Sequence, residues 1–125
     1  MKNATLELMV DNMRESSDFY TTILGFTKSM VTPENDPVFL MLTNGGVNIM
    51  LYRRDAFVKE ISKFEKLKLG GSVALYIEVE DITKLYKDVK DKVKIIQEFH
   101  TTDYGSTEFS MEDNNGYVLM FSQRD

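Results

Sequence analysis

Hydrophobic and polar residues alternate in short runs along this chain, and three longer stretches place apolar residues three or four positions apart. Alternation is typical of half-buried strands, and the wider spacing is typical of amphipathic helices. Helices are predicted at Met13–Leu24, at Arg53–Leu69 and after Asp81. Strands are predicted at Leu6–Val10, Phe26–Val31, Val38–Leu42, Val47–Tyr52, Val73–Val79, Val93–Phe99, Thr107–Met111 and Tyr117–Phe121.

Turn and capping residues separate these elements. Asp11 and Asp81 precede the first and third helices, where a carboxylate can accept hydrogen bonds from free backbone N–H groups. Gly25 stands where a left-handed residue would end the first helix. The run Asn114-Asn115-Gly116 predicts a tight hairpin turn between the last two strands. The predicted order is βαβββ, a joining helix, and βαβββ.

The two halves also match weakly in sequence. Val10 corresponds to Val79, and GVNIML at 46–51 corresponds to GYVLMF at 116–121, at nearly the same spacing. Duplication of one unit explains both matches, whereas chance likeness of two hairpins is the alternative. We therefore predict a single domain over 1–125, with module one at about 1–53, a linker helix at about 54–69 and module two at about 70–125.

The composition of the chain argues against several classes of function. The chain has 125 residues, a net charge of −5 and no cysteine, so disulfides, thiolate metal sites and a catalytic cysteine are excluded. Nucleic-acid binding requires a cationic surface, which this acidic balance does not favour. The N-terminal run MKNATLELMVDN is unlike a signal peptide, and no apolar run has membrane-spanning length. We expect a cytoplasmic protein that binds neither nucleic acid nor membranes.

Three segments carry a resemblance to a known family. They are LELMVDNMRESSDFYTTILGF at 6–26, VALYIEVEDITKLYKDV at 73–89 and YGSTEFSMEDNNGYVLMF at 104–121. In order and spacing they resemble the vicinal oxygen chelate superfamily of glyoxalases, bleomycin resistance proteins and dioxygenases. The resemblance implies an α+β fold in which two βαβββ modules form a curled mixed sheet around a cleft. It also implies that the first and fourth strands of each module meet at the cleft floor.

The same resemblance identifies four positions that hold a metal in catalytic members through histidine, glutamine or glutamate. They correspond here to Thr5, Met50, Ala74 and Met120. A thioether suits soft metals, but threonine and alanine add no strong ligand. The one histidine, His100, lies at the end of a late strand and outside these positions. We therefore predict no metal, no cofactor and no catalytic residue.

Strand alternation predicts which side chains line the cleft, because the apolar face of each strand must lie under a helix. The set is mixed in character, as small-molecule sites are. Its methionines could contact a flat ligand or merely fill the cleft. Glu7 could meet a cationic ligand, pair with Arg53, Arg54 or a lysine, or be solvated. The predicted ligand contacts are Thr5, Glu7, Met9, Asn48, Met50, Tyr52, Ala74, Tyr76 and Met120.

Taken with the resemblance, these features predict a metal-free binding protein of the bleomycin-resistance type. It would sequester an antibiotic or metabolite, a small organic ligand that is flat, partly aromatic and neutral to cationic. The resemblance further implies a homodimer. Two alternatives stay open: a glyoxalase-like lyase or isomerase with an atypical or absent metal site, and a module that binds a protein segment.

Overall fold

The computed structural model describes residues Met1–Asp125 and divides them into two units, Met1–Leu69 and Gly70–Asp125. None of the helices is long and apolar enough to cross a membrane. The first unit contains β1 (Leu6–Val10), α1 (Met13–Asp18, continued by a π-helical turn at Phe19–Ile23), β2 (Thr27–Thr32), β3 (Phe39–Asn44), β4 (Val47–Arg53), α2 (Arg54–Glu60) and a 3₁₀ turn at Ser62–Phe64. The second contains β5 (Ala74–Glu78), α3 (Ile82–Val89), β6 (Lys94–Thr101), β7 (Ser106–Glu112) and β8 (Val118–Arg124).

Both units have the same sheet topology. The strand orders are β1-β4-β3-β2 and β5-β8-β7-β6. In each unit the first strand runs parallel to the fourth, and the other neighbours are antiparallel. The predicted α+β fold of two βαβββ modules is confirmed, including the pairing of first and fourth strands.

The core of the first unit lies on the sheet face that alternation assigned to it. Leu8 and Val10 of β1 are buried beside Ile49 and Leu51 of β4. The ring of Tyr20, after α1, is fully buried and meets the Phe26 ring edge-on at 5.5 Å. Every second residue of these strands points toward this core. The residues between them therefore point to the opposite face of the sheet.

The second unit has an aromatic core. Phe109 of β7 is fully buried, stacks on Phe121 at 5.2 Å between ring centroids and meets Tyr86 of α3 at 5.0 Å. Ile82 and Val89 of α3 are also buried, in agreement with its predicted apolar face. The predicted strand at Val73–Val79 is shorter than expected, since Val73 lies outside β5 and is 40% exposed.

The residue that caps α1 differs from the prediction. Asn12 is the N-cap, and its Oδ1 accepts a hydrogen bond of 3.0 Å from the Glu15 N–H. Asp11 instead accepts from Arg54 Nε at 2.6 Å. The helix begins one residue later than the Asp11 cap requires, which frees the aspartate for this distant arginine. At α3 the predicted cap is confirmed, because Asp81 accepts from the Lys84 N–H at 3.1 Å.

The prediction of one helix over Arg53–Leu69 was wrong. The helix ends at Glu60, and Ile61 takes an extended conformation with φ −131° and ψ 90°. Of the predicted apolar stripe only Phe57 is buried, whereas Ile61 and Leu67 remain 45% and 46% exposed. A helix of this composition is stabilised mainly by burial of its apolar face. Because Ile61 and Leu67 stay in solvent, extending the helix over them would bury no apolar surface and would add no stability.

Candidate functional site

The first sheet has one face under α1 and an opposite face, which we call its distal face. Cross-strand neighbours on that face are fixed by the register, which sets Glu7 beside Met50 and Met50 beside Met41. Glu7 is exposed, and both methionine side chains are half-buried. The Glu7 carboxylate therefore stands at the end of a row of two thioethers, whose sulfur atoms are polarisable.

Aromatic residues cover one end of this distal face. The Tyr52 ring lies 5.9 Å from Phe39 and 5.0 Å from Phe57 of α2. Met9 is the register partner of Tyr52 and is only 4% exposed. It was predicted to line the cleft, and within this chain its side chain is accessible to a ligand only if neighbouring side chains move.

Charge at this face is negative. Partial burial raises the pKa of the Glu7 carboxyl, and the charge of Glu60 at the end of α2 raises it further. A hydrogen bond with Glu60 raises the pKa of the Tyr52 hydroxyl. Arg53 forms ion pairs with Asp36 and Asp55, and Arg54 forms one with Asp11. Neither arginine pairs with Glu7, which was one of the alternatives for this carboxylate.

Asn48 and Thr5, the remaining predicted residues of the first unit, lie next to this row in β4 and just before β1. Asn48 is exposed, and its Oδ1 accepts a hydrogen bond of 3.0 Å from the Thr43 hydroxyl. Thr5 is exposed and precedes β1. The structure thus brings Glu7, Met50, Tyr52 and Asn48 onto one face and leaves Thr5 before the start of β1.

The second sheet has an equivalent distal face, opposite α3, which carries the remaining predicted residues. Tyr76 pairs with Met120 in the register and Ala74 pairs with Val118. Tyr76 is 54% exposed, Ala74 is exposed and Met120 is half-buried. Tyr76 and Met120 are therefore neighbours on an accessible surface.

A buried carboxylate on this face was missed by the sequence analysis. Glu108 of β7 is 3% exposed. Its Oε2 accepts hydrogen bonds from the hydroxyls of Tyr76, at 2.7 Å, and Ser106, at 3.1 Å. Its Oε1 accepts one from the Tyr104 hydroxyl at 2.9 Å. Burial of this charge is compensated by hydroxyl donors, as burial of any ionised group requires.

These donors also determine how Glu108 titrates. The hydrogen bond from Tyr76 is the largest influence and lowers the pKa of the carboxyl, and those from Tyr104 and Ser106 act in the same direction against the effect of burial. The fully buried Ser122 hydroxyl lowers it as well. Glu108 is thus held in its ionised form at neutral pH.

We expect this network to make the protein acid-sensitive. A carboxyl whose pKa is lower in the folded state contributes stability above its ordinary pKa of 4.5, and this is lost as the pH falls through the folded-state value. Urea unfolding between pH 7 and pH 3 should show a smaller fall in the free energy of unfolding for Glu108→Gln than for the wild type. Equal falls in the two proteins would contradict this expectation.

One part of this network was detectable in the sequence and the rest was not. In STEFSME at 106–112 the inward positions Phe109 and Met111 alternate with Glu108 and Ser110, which assigns the carboxylate to the distal face. Tyr104 lies in the turn before β7, where no periodic pattern indicates a direction. Its contact with Glu108 depends on how that turn folds.

The residues at the metal-ligand positions implied by the resemblance do not fit a divalent metal. Thr5, Met50, Ala74 and Met120 offer one hydroxyl and two thioethers. No group of three or more histidine, cysteine, aspartate or glutamate side chains lies close enough together to hold a metal ion. His100 is the register partner of Glu108, and its Nδ1 lies 2.7 Å from the Glu98 carbonyl oxygen.

Two βαβββ units, each with a four-stranded mixed sheet that carries polar and thioether side chains on its distal face, define a class of small α+β proteins. The model of the Glyoxalase/Bleomycin resistance protein/Dioxygenase superfamily matches residues 3–121, and the chain belongs to that superfamily. No curated protein matches the sequence significantly.

Solved structures agree in fold. A protein of unknown function from Agrobacterium tumefaciens C58 is 17% identical, with a TM-score of 0.81 over 100% of this chain and 95% of that one. TioX from Micromonospora sp. ML1 is 16% identical, with a TM-score of 0.75 over 99% and 97%. A superfamily member from Sphaerobacter thermophilus is 19% identical, with a TM-score of 0.75 over 98% of both chains. At such identities the likeness extends to the fold alone.

Proposed function

We propose that this protein binds a small, flat organic molecule without transforming it, and that the distal face of the first sheet contributes Glu7, Met50 and Tyr52 to the contact. The observation that carries the proposal is Glu7, an accessible carboxylate in a thioether row that forms none of the salt bridges of its unit. A charge in such surroundings gains most from a ligand that brings a cation or a donor. The flat shape follows from favourable contacts of rings with tyrosine and thioether sulfur.

Proton-transfer chemistry is the second candidate function, in the form of a glyoxalase-like lyase or isomerase. Glu108 favours it, because a buried carboxylate beside two tyrosines could exchange a proton with a substrate. A general base that works at neutral pH needs a pKa near 7, however, and hydrogen bonds lower the pKa of Glu108. A role for Glu108 as a fixed negative charge is therefore in better agreement with its surroundings.

Two tricyclic probes that differ in charge test the binding proposal. In calorimetric titrations, Glu7→Gln should weaken binding of the cation 9-aminoacridinium about tenfold, equivalent to about 1.4 kcal/mol, and should leave neutral acridone nearly unaffected. Met50→Ala should weaken both probes, because it removes apolar contact and no charge. Glu34→Gln, at an exposed loop position, removes the same charge elsewhere and should change neither affinity.

Several outcomes would contradict the proposal. Failure of both probes to bind, combined with a stable complex with another protein, would favour the module that binds a protein segment. Recovery of chemically altered probe by mass spectrometry would favour the enzyme. The ligand contacts Thr5, Met9, Asn48, Ala74, Tyr76 and Met120 stay predictions. So do the metal-free state, the homodimer, the cytoplasmic location and sequestration of an antibiotic or metabolite.

A further inference from the structure

The second unit contains an arrangement that the proposed function does not use, around Glu108 on the distal face of its sheet. Both carboxylate oxygens are occupied by tyrosine hydroxyls, Oε2 by Tyr76 at 2.7 Å and Oε1 by Tyr104 at 2.9 Å. The two tyrosines reach this carboxylate from different segments, β5 and the turn before β7. Their hydroxyl groups are therefore fixed while their rings extend outward.

We propose that Tyr76, Tyr104 and Glu108 form a binding site for an organic cation that carries N–H groups, such as a protonated amine or a guanidinium. This proposal extends ligand binding to the second unit. It rests on the proposed function in one respect, which is that Tyr76 was among the predicted ligand contacts.

The direction of the hydrogen bonds determines what the tyrosine oxygens can recognise. A phenol has one proton to donate, and both phenols donate theirs to Glu108. Each oxygen retains acceptor capacity, which the Thr102 hydroxyl shares at Tyr104 and which the adjacent anion makes more basic. The hydroxyls thus act toward a ligand as acceptors, and an acceptor pair selects N–H donors over other acceptors.

The exposure of the rings supplies the second element of recognition. Tyr76 is 54% and Tyr104 69% exposed, although both hydroxyls are engaged. Aromatic faces in solvent attract cations through the ring quadrupole, and this attraction increases when an anion lies close by. Because the hydroxyl contacts already restrict both side chains, a ligand meets a preorganised surface and loses less entropy on binding.

Charge in this unit favours a cation. Glu108 takes part in none of the salt bridges of its unit, which join Arg124 to Glu78 and Lys94 to Glu112 on the same sheet and Lys84 to Asp88 on α3. Its charge is stabilised by neutral hydroxyls and is not cancelled. A small metal ion would need several oxygen ligands in place of its water, and this site offers one carboxylate that is already occupied. An organic cation does not have that requirement, because its N–H groups can donate to the tyrosine oxygens while its charge lies against the tyrosine rings.

Benzylammonium and benzyltrimethylammonium, followed by NMR titration of the full chain, test this site. Glu108→Gln should weaken both cations roughly tenfold, since it removes the charge and nearly keeps the shape. Tyr104→Phe retains the ring and removes one acceptor, so it should weaken benzylammonium several-fold and leave benzyltrimethylammonium, which has no N–H, nearly unaffected.

Glu78→Gln is the matched control, because it removes a carboxylate from the same sheet face that is exposed and paired with Arg124. Its effect on both cations should be small, and an effect equal to that of Glu108→Gln would overturn the site. If Glu108→Gln fails to fold, Tyr104→Phe decides alone, and unchanged benzylammonium binding in that variant overturns the proposal. Failure of both cations here, with acridine probes still responding to Glu7→Gln, refutes this site and leaves the proposed function standing.

Discussion

Replacement of Gly70 by alanine is expected to lower the free energy of unfolding by about 2–5 kcal/mol. Gly70 has a φ of +95°, and an added Cβ would lie 2.9 Å from the carbonyl oxygen of Gly116 and 3.3 Å from that of Asn115. The left-handed conformation costs an L-residue about 1–2 kcal/mol. The contact adds about 1–3 kcal/mol, because backbone atoms cannot rotate away as a side chain would.

Gly45→Ala separates these two contributions. Gly45 also has a positive φ, +58°, but nothing lies within 4 Å of its added Cβ. It should therefore lose only the conformational part, about 1–2 kcal/mol. Equal losses in the free energy of unfolding for the two variants, measured by urea unfolding, would show that the close contact between Gly70 and the turn at Gly116 does not contribute to the loss. A larger loss for Gly70→Ala would identify that turn, which joins β7 and β8, as a support of the second sheet.

Phe109→Ala is expected to destabilise the protein by about 3–5 kcal/mol, the usual loss for truncation of a buried phenylalanine. The ring is fully buried between Phe121 and Tyr86. Its removal leaves a cavity directly behind the strand that carries Glu108. We therefore also expect the backbone hydrogen bonds of β7 to weaken around Glu108, which amide exchange across β7 would detect.

Phe99→Ala is a closely matched control. The Phe99 ring also contacts Tyr86, at 5.1 Å, but it is 37% exposed. Because solvent fills the space that it vacates, its truncation should cost about 1 kcal/mol. Similar losses for the two variants would mean that Phe109 does not anchor the core. The comparison keeps residue type and aromatic partner constant and varies burial.

The sequence was sufficient to predict the eight strands, the first and third helices and, in most strands, which face is buried. In β4, Met50 was assigned to the cleft, which by alternation puts Ile49 and Leu51 in the core, and the burial of all three agrees. This succeeded because alternation is a local consequence of strand geometry. The helix over 54–69 failed for a related reason: its spacing was helical, but spacing alone does not tell whether a core is available to cover Ile61 and Leu67.

The functional chemistry depended more on tertiary structure. The sequence identified Glu7 and Tyr76 as polar groups on accessible faces, because each alternates with apolar neighbours in its strand. It did not identify Glu108 as the partner of Tyr76, since their hydrogen bond joins residues 32 positions apart and depends on the register of three strands. Local periodicity determined which way each side chain points. Only the assembled sheet decided which side chains meet, and hence that a buried carboxylate is held by two exposed tyrosines.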